Sequence, residues 1–93
     1  MLGNLPPEIL RLVPGYLENR KKDLETLRES ARNRDFTTIK FIGHNIKGNA
    51  ESYGFPSLAP IGLRMENAAL AGKLEDVESC IQDLSDFLAR VSG

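Results

Sequence analysis

Apolar residues recur along this chain at alternating intervals of three and four positions, the spacing that lines one face of an α-helix. Four such stripes lie within residues 13–31, 36–53, 58–69 and 77–91. The first stripe contains one polar member, Arg20, whose aliphatic stem can lie across an apolar surface. Alternation at period two never persists, so the pattern predicts four helices and no strands.

Residues that favour helix ends separate the stripes. Asp35 is a good N-cap for the second helix, because its carboxylate can accept hydrogen bonds from free backbone N–H groups. Gly54 and Gly72 are predicted to end the second and third helices, since glycine readily adopts left-handed backbone angles. Ser57 is expected to cap the third helix, which puts Pro60 in its first turn, where proline is tolerated.

The helices are predicted to pack as a bundle with a short additional helix at the N-terminal end. Pro6 and Pro7 can open a helix over residues 8–12, and Pro14 then forces a break or bend, because proline inside a helix removes a backbone hydrogen bond. Links of about 2–5 residues fit antiparallel neighbours. The expected fold is therefore all-α: an antiparallel up-down four-helix bundle with a short extra N-terminal helix.

Composition places this pattern in a single domain spanning residues 1–93. The chain is 41% hydrophobic and 27% charged, which is ordinary for a globular domain. Its net charge is -1, so no global field attracts it to nucleic acid. The basic residues within 20–29 are interleaved with acidic ones. We therefore expect no nucleic-acid binding.

The same composition predicts a cytoplasmic protein. No apolar run approaches the roughly 18 residues that indicate a membrane span, so no membrane insertion is expected. The sequence does not start with a basic segment followed by an apolar one, so no signal peptide is predicted. The one cysteine, Cys80, fits a reducing compartment and is expected to pack as a small apolar residue.

Few side chains are available for chemistry. With one histidine and one cysteine, the chain cannot build a Cys/His zinc cluster, and it contains no glycine-rich nucleotide-binding motif. The sequence therefore predicts no metal site and no cofactor site. Any chemistry has to use very few groups.

The single histidine, His44, falls on the second helix, beside its apolar stripe. A helix turns about 100° per residue, so residues three, four and seven positions away share a face. The neighbours of His44 on that face are Lys40, Phe41, Lys47, Gly48 and Glu51. The imidazole is thus expected on or near the solvent face, where an ordinary solvated histidine is the simplest explanation.

Gly48 indicates that the exposure of His44 can serve a function. Glycine inside a helix costs about 1 kcal/mol relative to alanine, so its presence there needs a reason. A close contact between helices would account for it. A side chain at this position would also cover the surface near His44, so glycine leaves the ring reachable by something bulky. Lys47 either attracts an anion placed on the ring or is simply solvated. Phe41 is either a core residue or an exposed anchor for a partner.

A neutral imidazole nitrogen is a nucleophile that can form a covalent intermediate. Phosphorus is a suitable target, and in-line transfer requires that donor and acceptor both reach the nitrogen. No base, metal or nucleotide loop accompanies His44, so those parts would have to come from a partner. The residues therefore favour a carrier of phosphoryl groups over a complete active site.

Residues 43–50, Gly-His-Asn-Ile-Lys-Gly-Asn-Ala, resemble the motif of the histidine-containing phosphotransfer (HPt) domain family. Three further residues of the motif follow: Gly54, Phe55 and Leu58. Residues 61–66 resemble the third helix of the family, in which an apolar residue precedes a glutamate. The resemblance extends from about Leu10 to Val91, since the order and lengths of the helices also agree.

This resemblance implies that His44 is the phosphorylated residue, that Lys47 helps to neutralise the phosphoryl group and that Gly48 keeps the docking surface open. The candidate partner-binding residues are Lys40, Phe41, Gly48 and Glu51. The implied partners are receiver domains of response regulators, which supply the aspartate and hold the Mg²⁺ ion, with a hybrid histidine kinase as a further candidate. The chain itself is then expected to be a monomeric phosphorelay intermediate without kinase or ATP-binding machinery.

Two alternatives stay open. A helical interaction module could bind receiver domains without being phosphorylated, with His44 as a contact residue only. The second alternative is the dimerisation domain of a kinase, which is a dimer and also carries a histidine on a helix. In such domains an acidic residue usually follows the histidine. Asn45 stands in that position here, and four helices already close a bundle in one chain.

Overall fold

The computed structural model describes residues 5–92, so the ends of the predicted domain, residues 1–4 and 93, lie outside it. Within that part, the chain forms helices and turns and no strand. The α-helices, in chain order, are α1 (Pro7–Arg32), α2 (Phe36–Asn49), α3 (Ala59–Ala71) and α4 (Leu74–Ser92). Each packs against its neighbour in the chain, and α1 also packs against α4, which confirms the all-α bundle. No helix of residues 5–92 is long and apolar enough to cross a membrane.

The prediction of a separate helix over residues 8–12 is wrong. These residues belong to α1, which continues without interruption past Pro14. Pro14 is exposed, so water can solvate the Leu10 carbonyl that its missing N–H leaves without a partner. Val13 and Tyr16 on either side of this position are buried in the core. Their burial holds this part of α1 on the bundle and offsets the cost of the proline.

The predicted helix ends at Asp35 and Gly72 agree with the structure, and the one at Gly54 differs. Asp35 caps α2, because its Oδ1 accepts a hydrogen bond from the Thr38 backbone N–H at 3.1 Å. Gly72 follows α3 with φ of 66°, in the left-handed region that favours glycine. Gly54, with φ of 88°, ends the short 3₁₀ turn Glu51–Tyr53 that follows α2 and not α2 itself.

Two 3₁₀ turns, Glu51–Tyr53 and Pro56–Leu58, connect α2 to α3. The predicted cap at Ser57 is wrong, because Ser57 lies inside the second turn and α3 begins at Ala59 without a side-chain cap. Pro60 lies in the first turn of α3, as predicted. The prolines supply backbone angles suited to a tight turn and a helix start, so a serine cap is not needed.

The core consists mainly of the predicted apolar stripes. Its largest fully buried side chains are Leu27, Ile39, Ile46, Leu58, Met65, Val77 and Leu84. Cys80 is also buried, as predicted for a small apolar residue, and burial raises the pKa of its thiol.

An aromatic cluster joins the C-terminal end of α2 to α1. The rings of Tyr16 and Tyr53 stack with centroids 4.3 Å apart, and the Arg20 guanidinium lies over Tyr16 at 4.5 Å from its centroid. The Tyr16 hydroxyl donates a hydrogen bond to Oδ1 of Asn49 at 2.9 Å. Arg20, the polar member of the first stripe, therefore packs against the cluster by a cation–π contact.

Two glycines set the spacing between α2 and α3. A Cβ atom on Gly43 would lie 2.8 Å from the backbone nitrogen of Glu66 and 2.8 Å from the carbonyl oxygen of Gly62. A Cβ atom on Gly62 would lie 2.6 Å from the backbone nitrogen of Lys47. Real Cβ atoms essentially never approach other atoms so closely, so only glycine permits this backbone contact. The contact places the turn of α2 that carries Lys47 beside the turn of α3 that carries Glu66.

Candidate functional site

His44 projects from the outer face of α2, with 61% of its side chain exposed. Its Nδ1 lies 2.9 Å from Oε2 of Glu66, which belongs to α3. Gly43, immediately before His44, is one of the two residues at which the helix backbones touch. The close approach of α2 and α3 therefore brings a carboxylate from one helix onto the imidazole of the other.

The Glu66 carboxylate is shared between two partners on α2. Its Oε1 accepts a hydrogen bond from Nζ of Lys47 at 2.9 Å, while Oε2 contacts His44. The hydrogen bond from Lys47 lowers the pKa of Glu66; partial burial opposes this, and His44 adds a smaller lowering. Only 15% of the Glu66 side chain is exposed. The carboxylate is thus ionised near neutral pH and accepts at both oxygens.

This carboxylate determines which nitrogen of a neutral His44 carries the hydrogen. An ionised carboxylate can only accept, so the 2.9 Å contact requires that Nδ1 is protonated and donates to Glu66. The tautomer is assigned from this hydrogen bond. A neutral imidazole has one N–H, so Nε2 keeps its lone pair. The exposed ring therefore holds a nucleophilic nitrogen on the edge that faces away from Glu66.

Gly48 leaves open space one turn beyond His44. A Cβ atom at this position would meet no atom within 4 Å, and the residue is exposed. A close contact between helices therefore does not explain Gly48; that contact lies at Gly43 and Gly62 instead. The surface beside the imidazole is open, as expected if glycine at this position keeps the ring accessible to a partner.

The side chain of Phe41 lies on the solvent side of α2, with 64% of the residue exposed. The sequence left Phe41 either in the core or exposed as an anchor for a partner, and this exposure excludes the core. Lys40 is exposed on the same helix. Glu51 is exposed too, but α2 ends at Asn49, so Glu51 lies in the following 3₁₀ turn. Its place on the surface around His44 stays a prediction, because the α-helical spacing that groups the two residues covers only part of the segment between them.

The model of the Hpt domain family matches residues 11–93, which is nearly the whole chain. The chain belongs to the Hpt domain family. Hpt domains are phosphocarrier modules, not kinases, and they interact with receiver domains in phosphorelays. Comparison with curated proteins and with solved structures gave no match.

Membership of the Hpt family confirms the resemblance found in the sequence and supports a phosphotransfer role in two-component signalling. The match concerns the domain as a whole and assigns no role to a single residue. The roles of His44 and Lys47, and the partner-binding roles of Lys40, Phe41, Gly48 and Glu51, thus stay predictions. Within the described residues, 5–92, no group of three or more His, Cys, Asp or Glu side chains is placed to hold a metal ion.

Glu66 is the residue of this Hpt site that the sequence reasoning did not identify. Residues 61–66 resemble the third helix of the family, but the resemblance alone assigns no role to the glutamate. Helical periodicity groups residues on one helix only, and Glu66 lies 22 positions from His44 in the chain. A usable signal was the pair of small residues, Gly43 and Gly62, which would have indicated where the two helices cross.

Proposed function

We propose that this Hpt domain is an active phosphorelay intermediate that accepts a phosphoryl group on His44 from an aspartyl phosphate of a receiver domain and passes it to another receiver. One observation carries the proposal. The exposed imidazole has its Nδ1–H held by Glu66, which leaves Nε2 free as a nucleophile.

The transfer needs few groups from this chain. Nε2 of His44 attacks the phosphorus of the aspartyl phosphate, an N–P bond forms, and the P–O bond to the aspartate breaks, so the aspartate leaves as a carboxylate. The proton on Nδ1 stays in its hydrogen bond to Glu66, which stabilises the positive charge that the phosphorylated ring acquires. The reverse attack by a second receiver's aspartate regenerates the free imidazole. We place the Mg²⁺ ion in the receiver domain and assign no metal or cofactor to this chain.

Access to the imidazole comes from the surface around it. Gly48 leaves the approach to the ring open, and Phe41 offers an exposed aromatic side chain on the same helix. An aromatic anchor beside an unobstructed reacting atom suits brief docking of a protein partner. We assign Lys40 and Glu51 to the polar rim of that surface, with Glu51 reached from the turn after α2.

We also propose that the chain works as a monomer in the cytoplasm, with receiver domains and a hybrid histidine kinase as its protein partners. Four helices of one chain complete the bundle, so folding requires no second copy. The net charge of -1 gives no general attraction to nucleic acid.

The test is transfer from a receiver domain phosphorylated in advance, followed as acid-labile phosphate on this chain. The wild-type protein is expected to acquire phosphate and to lose it to a second receiver. His44→Gln is expected to abolish this while keeping the melting temperature of the wild type, since His44 is exposed. Transfer that survives His44→Gln contradicts the proposal. Binding of the receiver without any transfer by the wild type would indicate an interaction module instead.

A further inference from the structure

Lys47 is bound to the carboxylate that orients His44. Its Nζ lies 2.9 Å from Oε1 of Glu66, and the other oxygen of the same carboxylate contacts Nδ1 of His44. Lys47 keeps 37% of its side chain exposed, whereas Glu66 keeps 15%. The more exposed lysine thus pairs with a carboxylate that is largely shielded from solvent.

The position of a phosphoryl group follows from the tautomer of the ring. Since Nδ1 is occupied by its hydrogen bond to Glu66, the group must bond to Nε2. The two nitrogens lie on different edges of the imidazole, so the phosphoryl group extends away from Glu66. Lys47 is held at the other oxygen of that carboxylate, with its Nζ 2.9 Å from Oε1.

The charges around the ring indicate how the ion pair between Lys47 and Glu66 favours transfer. Glu66 carries one negative charge, and an arriving phosphoryl group carries more, so the two repel one another across the ring. A neutral His44 offers no compensation. The positive charge of Lys47 cancels the negative charge of Glu66, so the pair itself carries no net charge before transfer. The lowered pKa of Glu66, caused chiefly by Lys47, agrees with a paired, ionised carboxylate.

We propose that Lys47 is a positioning residue that acts through Glu66: it neutralises and holds the carboxylate that orients His44, and it does not contact the phosphoryl group. This inference rests on the proposed function, because it concerns the transfer to His44. It changes the role that the family resemblance implied, in which Lys47 neutralises the phosphoryl group itself. The two roles differ in one respect that can be measured, the dependence of Lys47 on Glu66.

The test is a double-mutant cycle on the rate of phosphoryl transfer from a phosphorylated receiver, with Lys47→Met, Glu66→Gln and both together. Glutamine keeps an oxygen that can accept from His44 but carries no charge. In the wild-type background, Lys47→Met is expected to slow transfer by roughly tenfold or more, because it exposes the ring to an unpaired carboxylate. In the Glu66→Gln background, the same substitution is expected to cause little or no further loss. Lys73→Met, at an exposed lysine between α3 and α4, serves as the matched control and should transfer like the wild type.

A second readout is independent of transfer. The carboxyl group of Glu66 is titrated by carbon NMR in the unphosphorylated protein, and Lys47→Met is expected to move its midpoint to higher pH. An unchanged midpoint overturns the inference. An equal loss from Lys47→Met in both backgrounds overturns it too, because a lysine that contacts the phosphoryl group acts without Glu66. If the wild type itself transfers nothing, the proposed function fails, and this inference fails with it.

Discussion

Gly43→Ala is expected to separate α2 from α3 and thereby to weaken the contact between Glu66 and His44. The added Cβ atom would lie 2.8 Å from the Glu66 nitrogen, 2.8 Å from the Gly62 oxygen and 3.2 Å from the Met65 Cβ. The two closest atoms belong to the backbone, so no side-chain rotation can relieve the clash. The helices have to move apart, and Glu66 moves with α3, away from His44.

The magnitude follows from two opposing effects. Overpacking a core costs typically about 1–3 kcal/mol, and two backbone contacts place this substitution near the upper end. Alanine regains up to about 1 kcal/mol over glycine inside a helix. The free energy of unfolding is therefore expected to fall by about 2 kcal/mol. Gly48→Ala is the matched control on the same helix, since its Cβ atom meets nothing within 4 Å and only the gain of up to about 1 kcal/mol applies.

The assay is thermal and urea unfolding of both variants, followed by far-UV circular dichroism. The difference between them, about 2–3 kcal/mol, corresponds to roughly 8–24 °C in melting temperature for a domain of this size. Gly43→Ala is expected to melt below the wild type and Gly48→Ala at or above it. If Gly43→Ala proves as stable as Gly48→Ala, the helices do not touch at this glycine, and our account of how Glu66 reaches His44 is refuted.

Three further predictions concern other parts of the molecule. Pro14→Ala should raise the free energy of unfolding by about 2 kcal/mol, measured by urea unfolding. A proline inside a helix costs about 3 kcal/mol, and its restriction of the unfolded chain offsets up to about 1 kcal/mol of that cost. A loss of stability would mean that the helix is not continuous at this position. Gly48→Leu should slow phosphoryl transfer in a timed assay without unfolding the domain, and transfer at the wild-type rate would count against the steric role of this glycine. Burial raises the pKa of Tyr16 above its ordinary value of 10.0, so its neutral form adds stability that is complete below pH 10 and is lost as the pH rises through the folded-state pKa. Urea unfolding should show this alkaline loss in the wild type and less of it in Tyr16→Phe; equal losses would contradict it.

Local rules were enough to predict much of the fold from the sequence. The apolar stripes identified the four helices, because a helix that packs on a core must be apolar along one face. Asp35 and Gly72 were predicted correctly because a cap depends on a few neighbouring residues. The exposure of His44 followed in the same way from its position relative to the buried stripe.

What could not be predicted depends on contacts between distant parts of the chain. Pro14 breaks a helix by local rules, but the buried side chains of Val13 and Tyr16 hold α1 together across it. The contact between His44 and Glu66 exists only because two glycines let the backbones of α2 and α3 touch. Periodicity along one helix carries no information about which residue of another helix faces it.

The central claim is that His44 carries the phosphoryl group on Nε2, the nitrogen that Glu66 leaves free. The most direct measurement is phosphorus and nitrogen NMR of the nitrogen-labelled chain after transfer from a phosphorylated receiver domain. The account predicts one phosphorus signal coupled to Nε2 of His44, with the hydrogen on Nδ1. Phosphate bonded to Nδ1, phosphate on another residue, or an unmodified His44 in a receiver complex would contradict it.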